Sequence, residues 1–265
     1  MKTIAARSNQ QFKALRLLAK DPGEQRRQQR CLIDGSHLVT AYCDKLGPPE
    51  LLIVSEHGQS QAEIQALLER LRAVPLLLLK DDLFEALSQL STPAGIMALI
   101  HLPQAPVAQA ACASCLLLDA VQDAGNVGAI LRSAAAAGIG EVYLGAGCAG
   151  VWMPRVLRAA QGAHFDLALH EQADLPRVAK GFSGAVVAAT ASAGDNLYQL
   201  ELRGPIAWLF GNEGAGISPD LLATASVCAN IPMASGSESL NVAAAAAVCL
   251  FEEVRQKRFS NGGKG

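Results

Sequence analysis

The chain has 265 residues, 51% of them apolar, and a formal net charge of −2. Its length exceeds that of a typical single domain and its apolar content is ample for burying two cores, whereas the near-neutral charge by itself gives no indication of a nucleic-acid partner. The longest apolar run near the C-terminus, residues 242–251, is too short to span a bilayer, which excludes a transmembrane helix there. No secretory signal is recognised, and seven scattered cysteines suit reduced thiols, so we expect a soluble, cytoplasmic protein.

Positive charge is concentrated in the first 30 residues, which carry eight lysines and arginines against two acidic residues. A basic arm of this kind would neutralise phosphates without sequence preference. A solvated helical face is the plainer interpretation. A mitochondrial transit peptide is a third, although the segment has only one serine and continues smoothly into the first domain.

The next stretch alternates apolar strands with helical patterns and predicts a small α/β domain. Strands are expected near residues 51–54 and 76–79. Residues 102–111 lack periodicity and contain two prolines, which is typical of a linker. The expected organisation is an N-terminal domain over 1–102, a linker over 103–113, a second domain over 114–258 and a flexible tail over 259–265.

The second domain shows the pattern of a parallel sheet covered by small-residue helices. The apolar runs that read as buried strands are residues 115–118, 141–144, 185–189, 206–210 and 227–231. This alternation predicts an α/β fold.

The first run is followed by a polar turn and by a helix over residues 127–137, closed by Gly138. Asn126 is placed at the helix cap, and Arg132 lies almost two turns into the helix. Six residues rotate by about 600°, so these two side chains do not share a face. The helix is otherwise small and apolar, and we expect it to be buried almost all round, with Arg132 paired to a carboxylate or phosphate. The alternatives are a plain N-cap and a solvated surface charge.

The run 206–210 breaks into a loop with three glycines, which allow backbone to approach a ligand closely. Glu213 in this loop is expected either to be solvated or to pair with a cation such as Arg132. The last run ends in Ile231, and the polar segment after it leads to a helix predicted over residues 242–254. Ser239 and Asn241 are placed to cap that helix, and an ordinary capped helix is the plain alternative.

These three segments, in this order, resemble the signature motifs of the SpoU (TrmH-like) family of RNA ribose 2′-O-methyltransferases, within the SPOUT class. The matching stretches are Asn126-x5-Arg132, Phe210-Gly211-Asn212-Glu213-Gly214-x-Gly216, and Ile231-Pro232-Met233 with Ser239-Leu240-Asn241. Residues 153–163 look like the basic helix that the family has before its middle strands. This chain departs from the family at Ala124, where proline is usual, and at Ala160, where serine is frequent.

The resemblance implies a fold that physical priors argue against, a parallel-sheet domain whose C-terminal segment forms a deep trefoil knot. The N-terminal domain resembles the L30e/L7Ae-like substrate-binding domain of many SpoU proteins, with Ala94 where glutamine is usual. Dimerisation through the knotted domain is also implied. The extra domain and basic arm favour large-subunit ribosomal RNA over transfer RNA as substrate.

The resemblance further implies S-adenosylmethionine as cofactor and assigns roles to particular residues. The cofactor-binding positions are Gly211, Ile231, Leu240 and Thr190. The catalytic roles fall on Asn126, Arg132, Glu213, Ser239 and Asn241. A guanidinium group holds its proton throughout the neutral range, so our hypothesis is that Arg132 binds the phosphate beside the target ribose rather than acting as a base.

Three other interpretations remain open from the residues. A non-catalytic RNA-binding protein on the same fold is one. The second is a dinucleotide-dependent oxidoreductase, because residues 145–150 match GxGxxG after a strand, with Asp166 downstream. The third is a redox or zinc site at Cys112 and Cys115, but zinc needs about four ligands and no second pair exists, so we expect no metal.

Overall fold

The structure is a computed structural model. It describes residues 2–88, 92–103, 113–191, 194–234 and 239–259. The linker expected over 103–113 and the tail expected over 259–265 therefore lie almost entirely outside the described residues.

The secondary structure alternates strands and helices along the whole described chain. The strands are β1 Lys2–Ile4, β2 Arg30–Asp34, β3 Leu51–Ser55, β4 Leu76–Leu79, β5 Ile96–His101, β6 Cys115–Leu118, β7 Glu141–Leu144, β8 Ala168–Glu171, β9 Ala185–Thr190, β10 Asp195–Asn196, β11 Ile206–Phe210 and β12 Val227–Asn230. The helices are α1 Gln10–Lys20, α2 Pro22–Gln28, α3 Ser36–Leu46, α4 Ala62–Arg70, α5 Asp81–Leu87, α6 Ala124–Ala137, α7 Pro154–Ala160, α8 Leu175–Gly181, α9 Pro219–Leu222 and α10 Val242–Phe259.

The chain forms two compact units. The first comprises Met1–Gln104 and Trp152–Phe165, so it includes α7. The second comprises Ala105–Val151 and Asp166–Gly265.

The first unit contains a mixed sheet in the order β1-β4-β3-β5-β2. Strands β1, β4 and β3 run parallel, whereas β5 pairs antiparallel with both β3 and β2. The basic segment of the sequence forms β1, α1 and α2 here. Its Phe12 and Leu15 are buried in the core, while Lys13 and Arg16 of the same helix are exposed. This is a folded amphipathic element.

The second unit is built on a parallel sheet in the order β10-β12-β9-β11-β6-β7-β8. Every pairing in it is parallel. This confirms the predicted α/β class, and the five predicted strands match observed strands with end shifts of at most one residue. The strands that the sequence pattern missed, β8 and β10, lie at the two edges. Edge strands are short and partly exposed, so they lack the apolar run on which the prediction relied.

Helix α6 begins earlier than predicted, and its cap is a different residue. The Oδ1 atom of Asp123 accepts the Asn126 N–H at 2.8 Å, so Asp123 is the N-cap and Asn126 lies inside the first turn. The prediction of Asn126 at the cap was therefore wrong. Asp three residues before Asn126 is the sequence signal that identifies the true cap.

Helix α10 is fastened to the sheet by a buried polar cluster around Glu253. This carboxylate is 3% exposed, and it accepts Ser114 Oγ at 2.5 Å, Trp208 Nε1 at 2.6 Å and Lys257 Nζ at 2.6 Å. Trp208 is wholly buried in β11, and the Ile206 N–H donates to Ser114. None of the described helices combines the length and apolarity that crossing a membrane requires.

Candidate active site

A cavity of about 580 Å³ opens in the second unit at the carboxyl ends of β9, β11 and β12. Parallel strands end at one edge of their sheet, so the loops that follow them meet there, which is where α/β folds bind ligands. The size is typical of a site for a small organic ligand. Its lining includes seven of the nine predicted site residues: Thr190, Gly211, Glu213, Ile231, Ser239, Leu240 and Asn241.

The glycine-rich loop after β11 folds back tightly on itself. A Cβ atom on Gly211 would lie 2.3 Å from the backbone carbon of Gly216 and from the nitrogen of Ile217, so only glycine fits there. Asn212 and Gly216 exchange two backbone hydrogen bonds of 3.0 and 2.9 Å. The loop therefore presents backbone to the cavity at close range, as its glycines predicted.

The wall after β9 is held by Asn230, a residue without a predicted role. Asn230, at the end of β12, donates from Nδ2 to the carbonyl oxygens of Thr190 at 3.3 Å and Ala191 at 2.7 Å. The signal available in the sequence was an asparagine closing an otherwise apolar strand immediately before Ile231.

The third segment supplies both apolar and polar lining. Leu240 is 40% exposed, which leaves apolar surface for a ligand to cover. Asn241 caps α10, because its Oδ1 accepts the Ala243 and Ala244 N–H groups at 2.9 and 3.3 Å. Within the described residues, Ser239 makes no hydrogen bond to this helix. The expected capping role of Ser239 therefore falls on Asn241 alone.

Three side chains from the three motifs form a hydrogen-bonded chain at the cavity edge. Asn241 Nδ2 donates to Asn126 Oδ1 at 2.9 Å, and Asn126 Nδ2 donates to Glu213 Oε1 at 2.8 Å. Because Asn241 Oδ1 accepts from the helix backbone, Nδ2 is its remaining end and must donate. That fixes the orientation of the Asn126 amide, whose own donor then faces the carboxylate.

Within the described residues Glu213 forms no ion pair with Arg132, and the alternative expectation of a solvated side chain agrees with its exposure. Glu213 also accepts from Asn126.

Arg132 stands apart from this arrangement. Helix α6 buries one side only, through residues such as Val127, Ile130 and Leu131, and Arg132 projects from its exposed side. Among the described residues, no carboxylate forms an ion pair with it. The expectation of a helix buried all round was therefore wrong, and of the two expected partners, a carboxylate or a phosphate, the described residues supply no carboxylate. The helix packs against α10 on one side, so its small residues on the other side remain accessible.

Comparison with known protein families supports the resemblance that the three motifs indicated. The model of the SpoU rRNA Methylase family matches residues 113–251, more than half of the chain. The chain belongs to the SpoU rRNA methylase family. The model of the MRM3-like substrate binding domain matches residues 9–98 of this SpoU protein.

Relatives of this SpoU protein include two proteins named as rRNA methyltransferases. The 23S rRNA (guanosine(2553)-2′-O)-methyltransferase RlmP of Bacillus subtilis is 32% identical over 254 residues, covering 95% of this chain and 98% of that protein. The mitochondrial rRNA methyltransferase 3 of Homo sapiens is 28% identical and covers 88% of this chain and 69% of its own.

Solved structures agree over nearly the whole chain. The SpoU methyltransferase AviRb of Streptomyces viridochromogenes, in complex with the cofactor AdoMet, has a TM-score of 0.83 at 25% identity, covering 94% of this chain and 98% of that one. An RNA 2′-O ribose methyltransferase has a TM-score of 0.80 at 29% identity, covering 96% and 99%. The family inferred from the three motifs is thus confirmed.

Proposed function

We propose that this SpoU protein transfers a methyl group from S-adenosylmethionine to a ribose 2′-hydroxyl of RNA, with large-subunit ribosomal RNA as the substrate. The observation that carries the proposal is the chain from Asn241 through Asn126 to Glu213 at the edge of a ligand-sized cavity. The Bacillus subtilis relative, named for methylating a guanosine of 23S rRNA, supports the substrate class. The relatives do not favour the transfer-RNA, non-catalytic and oxidoreductase alternatives.

The lining of the cavity fits the proposed cofactor. The apolar side chains of Leu240 and Ile231, which both line the cavity, suit the adenine, and the close backbone after Gly211 supplies donors and acceptors for its polar groups. Thr190 lines the same cavity. When bound, S-adenosylmethionine supplies an electrophilic methyl carbon on a sulfonium, so the protein's tasks are aligning the hydroxyl and assisting loss of its proton.

The predicted catalytic side chains serve the first of these tasks, the alignment of the substrate. Asn126 and Asn241 orient the ribose, and Ser239 lies on the same rim of the cavity. Glu213 holds the Asn126 amide in one orientation. Arg132, exposed and without an ion-pair partner among the described residues, binds the phosphate beside the target ribose. The exposed basic residues of α1 bind further phosphates.

Arg132→Lys separates an anchoring role from a base role. Lysine keeps the charge but loses the planar fork that binds phosphate through two bonds, so we expect KM for RNA to rise about tenfold, a loss of about 1.4 kcal/mol. The pH dependence of kcat should be unchanged. Steady-state kinetics across neutral and alkaline pH measures both quantities, with the exposed Arg177→Lys on α8 as control. A shifted pH profile would indicate a base, and full activity would refute both roles.

Gly211→Ala tests the cofactor site. The new Cβ would meet backbone at 2.3 Å, so the loop must shift, and we expect the affinity for S-adenosylmethionine to fall by a factor of at least about ten. Gly214→Ala is the matched control in the same loop, because its nearest contact would be Asn212 Oδ1 at an ordinary 3.6 Å. Isothermal titration calorimetry measures both. Equal effects of the two substitutions, or none, would contradict this placement of the cofactor.

The activity itself is tested with the purified full chain, S-adenosylmethionine carrying a labelled methyl group, and transcripts of 23S rRNA, 16S rRNA and transfer RNA. We expect label in 23S rRNA, recovered as a 2′-O-methylnucleoside after digestion. Label in transfer RNA alone would establish the rival substrate. Cofactor binding without transfer to any RNA, including ribosomal RNA from cells that lack the gene, would leave the non-catalytic alternative.

We also propose a knotted second domain, the limits of the two domains, a homodimer and a cytoplasmic location. A knot is implied by the family resemblance, and the described residues Ile231, Met233 and Ser239 after β12 line the cavity beside the loops after β9 and β11, as such a knot would require. Domain limits of 1–102 and 114–258 are supported by the two matched regions. A homodimer through the knotted domain is supported by Phe251 of α10, which is 48% exposed. A cytoplasmic location accords with the free cysteines among the described residues.

A further inference from the structure

Two loops of the second unit are joined by side chains that the proposed mechanism does not use. The first is the Glu213 loop, residues 211–218. The second is the Asn126 approach, residues 119–123, which leads from β6 into α6. Glu213 lies within the first loop, and Asn126 lies just beyond the end of the second. Both residues belong to the hydrogen-bonded chain at the cavity edge.

The Glu213 loop is clamped at both ends to the Asn126 approach. At its start, Asn212 Nδ2 donates to the carbonyl oxygen of Ala120 at 2.9 Å. At its end, the Ser218 N–H donates to Asp119 Oδ2 at 2.7 Å. The Asp119 N–H also donates to the carbonyl oxygen of Phe210 at 2.8 Å, which continues the pairing of β6 with β11 beyond the strands.

Asn212 also organises the loop from inside. Its Oδ1 accepts the Gly214 and Ala215 N–H groups, each at 2.9 Å, so one side chain both shapes the turn around Glu213 and attaches it to Ala120. Ala120 has a φ of 53°, a left-handed conformation that residues other than glycine rarely adopt. The surrounding contacts must hold this conformation, and the carbonyl that Asn212 binds belongs to the same residue.

The clamp sets the separation of two catalytic side chains. Asn126 lies in the first turn of α6, whose cap Asp123 closes the Asn126 approach, and Glu213 lies between the two clamped ends of its loop. Their hydrogen bond of 2.8 Å joins exposed atoms, where water competes as a partner. Because both supporting loops are fixed, the two side chains stay in position, and the hydrogen bond between them does not have to form again in each catalytic cycle.

We propose that Asp119 and Asn212 are positioning residues, which hold the Glu213 loop against the Asn126 approach and so keep the Asn126 amide oriented toward the substrate. The proposal rests on the proposed function for its catalytic consequence. Asp119 acts as a hydrogen-bond acceptor for Ser218, and its charge takes no part in the reaction.

A pair of substitutions at Asp119 tests the acceptor. Asp119→Asn keeps an oxygen that can accept the Ser218 N–H, whereas Asp119→Ala removes it. We expect Asp119→Ala to lower kcat about tenfold, with an unchanged pH profile of kcat, and Asp119→Asn to restore kcat to within about threefold of the wild type. Equal loss in both variants, with an altered pH profile, would overturn the proposal by showing that the carboxylate itself takes part in the reaction.

Asn212→Asp tests the other end of the clamp. The carboxylate keeps acceptors for Gly214 and Ala215 but cannot donate to Ala120, and it faces that carbonyl oxygen instead. We expect kcat to fall by a factor of about ten to a hundred at saturating cofactor and RNA, with a melting temperature close to that of the wild type. Unchanged kcat would overturn the role of Asn212, as would a loss of kcat fully matched by unfolding.

Hydrogen exchange separates failure of the clamp from failure of the proposed function. In the full chain without RNA, Asp119→Ala should speed amide exchange in residues 211–218, and Asp119→Asn should not. This readout stands even if the wild type methylates no RNA, in which case the proposed function fails alone. Equal exchange in the wild type and both variants would overturn the clamp whatever the activity.

Discussion

Replacing Asn241 by aspartate is expected to lower kcat for methyl transfer about a hundredfold, equivalent to about 2.7 kcal/mol, while leaving the stability of the fold nearly unchanged. Aspartate caps a helix as well as asparagine does, because its oxygen can still accept the Ala243 and Ala244 N–H groups. It also places negative charge at the N-terminus of α10, where the helix dipole favours it.

The catalytic loss has a separate cause. Aspartate has no donor for Asn126 Oδ1, so two oxygens would face each other at the present 2.9 Å contact. If the Asn126 amide turned over to satisfy the new carboxylate, its own oxygen would face Glu213. Either arrangement breaks one link of the hydrogen-bonded chain. The expected result is therefore a large fall in kcat without a matching fall in melting temperature.

A matched control is available at another helix cap. Asn9 caps α1 by accepting the Gln11 and Phe12 N–H groups at 2.9 and 3.3 Å. Asn9→Asp makes the same chemical change at a residue that does not line the cavity, and we expect it to preserve both melting temperature and kcat at saturating RNA. A kcat for Asn241→Asp that matches this control would show that the Asn241 donor has no part in catalysis.

Removing the Glu253 side chain is expected to have the largest effect on stability, a loss of about 3–5 kcal/mol for Glu253→Ala. The carboxylate serves three donors in a buried site. Lys257 is partly exposed and can turn to water, but Trp208 is wholly buried and its Nε1–H would lose its acceptor. A buried donor without a partner bears the full cost of its desolvation.

The measurement is a thermal melt of the full chain with a control from the same helix. For a unit of this size, the expected loss corresponds to a fall in melting temperature of about 10 °C. Arg258→Ala, at an exposed position near the end of α10, should change the stability by no more than about 0.5 kcal/mol. A Glu253→Ala melt that resembles this control would show that the cluster does not fasten the helix.

The local parts of the candidate site were predictable from the sequence. Glycine at 211 was expected because close backbone approach demands it, and Asn241 was expected at the start of α10 because a short polar side chain there can accept free N–H groups. Both inferences depend on neighbours within a few residues. The cap of α6 was misplaced from Asp123 to Asn126 because several polar residues in that turn satisfy the same local rule.

The connections between segments were not predictable in this way. Asn126 was placed at a helix cap from its neighbours and given a catalytic role by resemblance, but neither prediction revealed that its side chain binds Glu213 and Asn241, which are far away in sequence. Arg132 was expected to be buried because α6 is rich in small apolar residues, but small residues pack well on one side and are tolerated in contact with water on the other.

By itself, the sequence determined the α/β class, the strands of the parallel sheet, and the motifs that place the chain in the SpoU family, because strand burial and loop chemistry are written in short local patterns. Only the tertiary structure decided which polar groups meet. The parallel sheet brings the ends of β6, β9, β11 and β12 to one edge, and hydrogen bonds then form between whichever side chains lie within about 3 Å there. Which side chains pair depends on the conformation of the loops, and the periodicity of the sequence carries no information about that conformation.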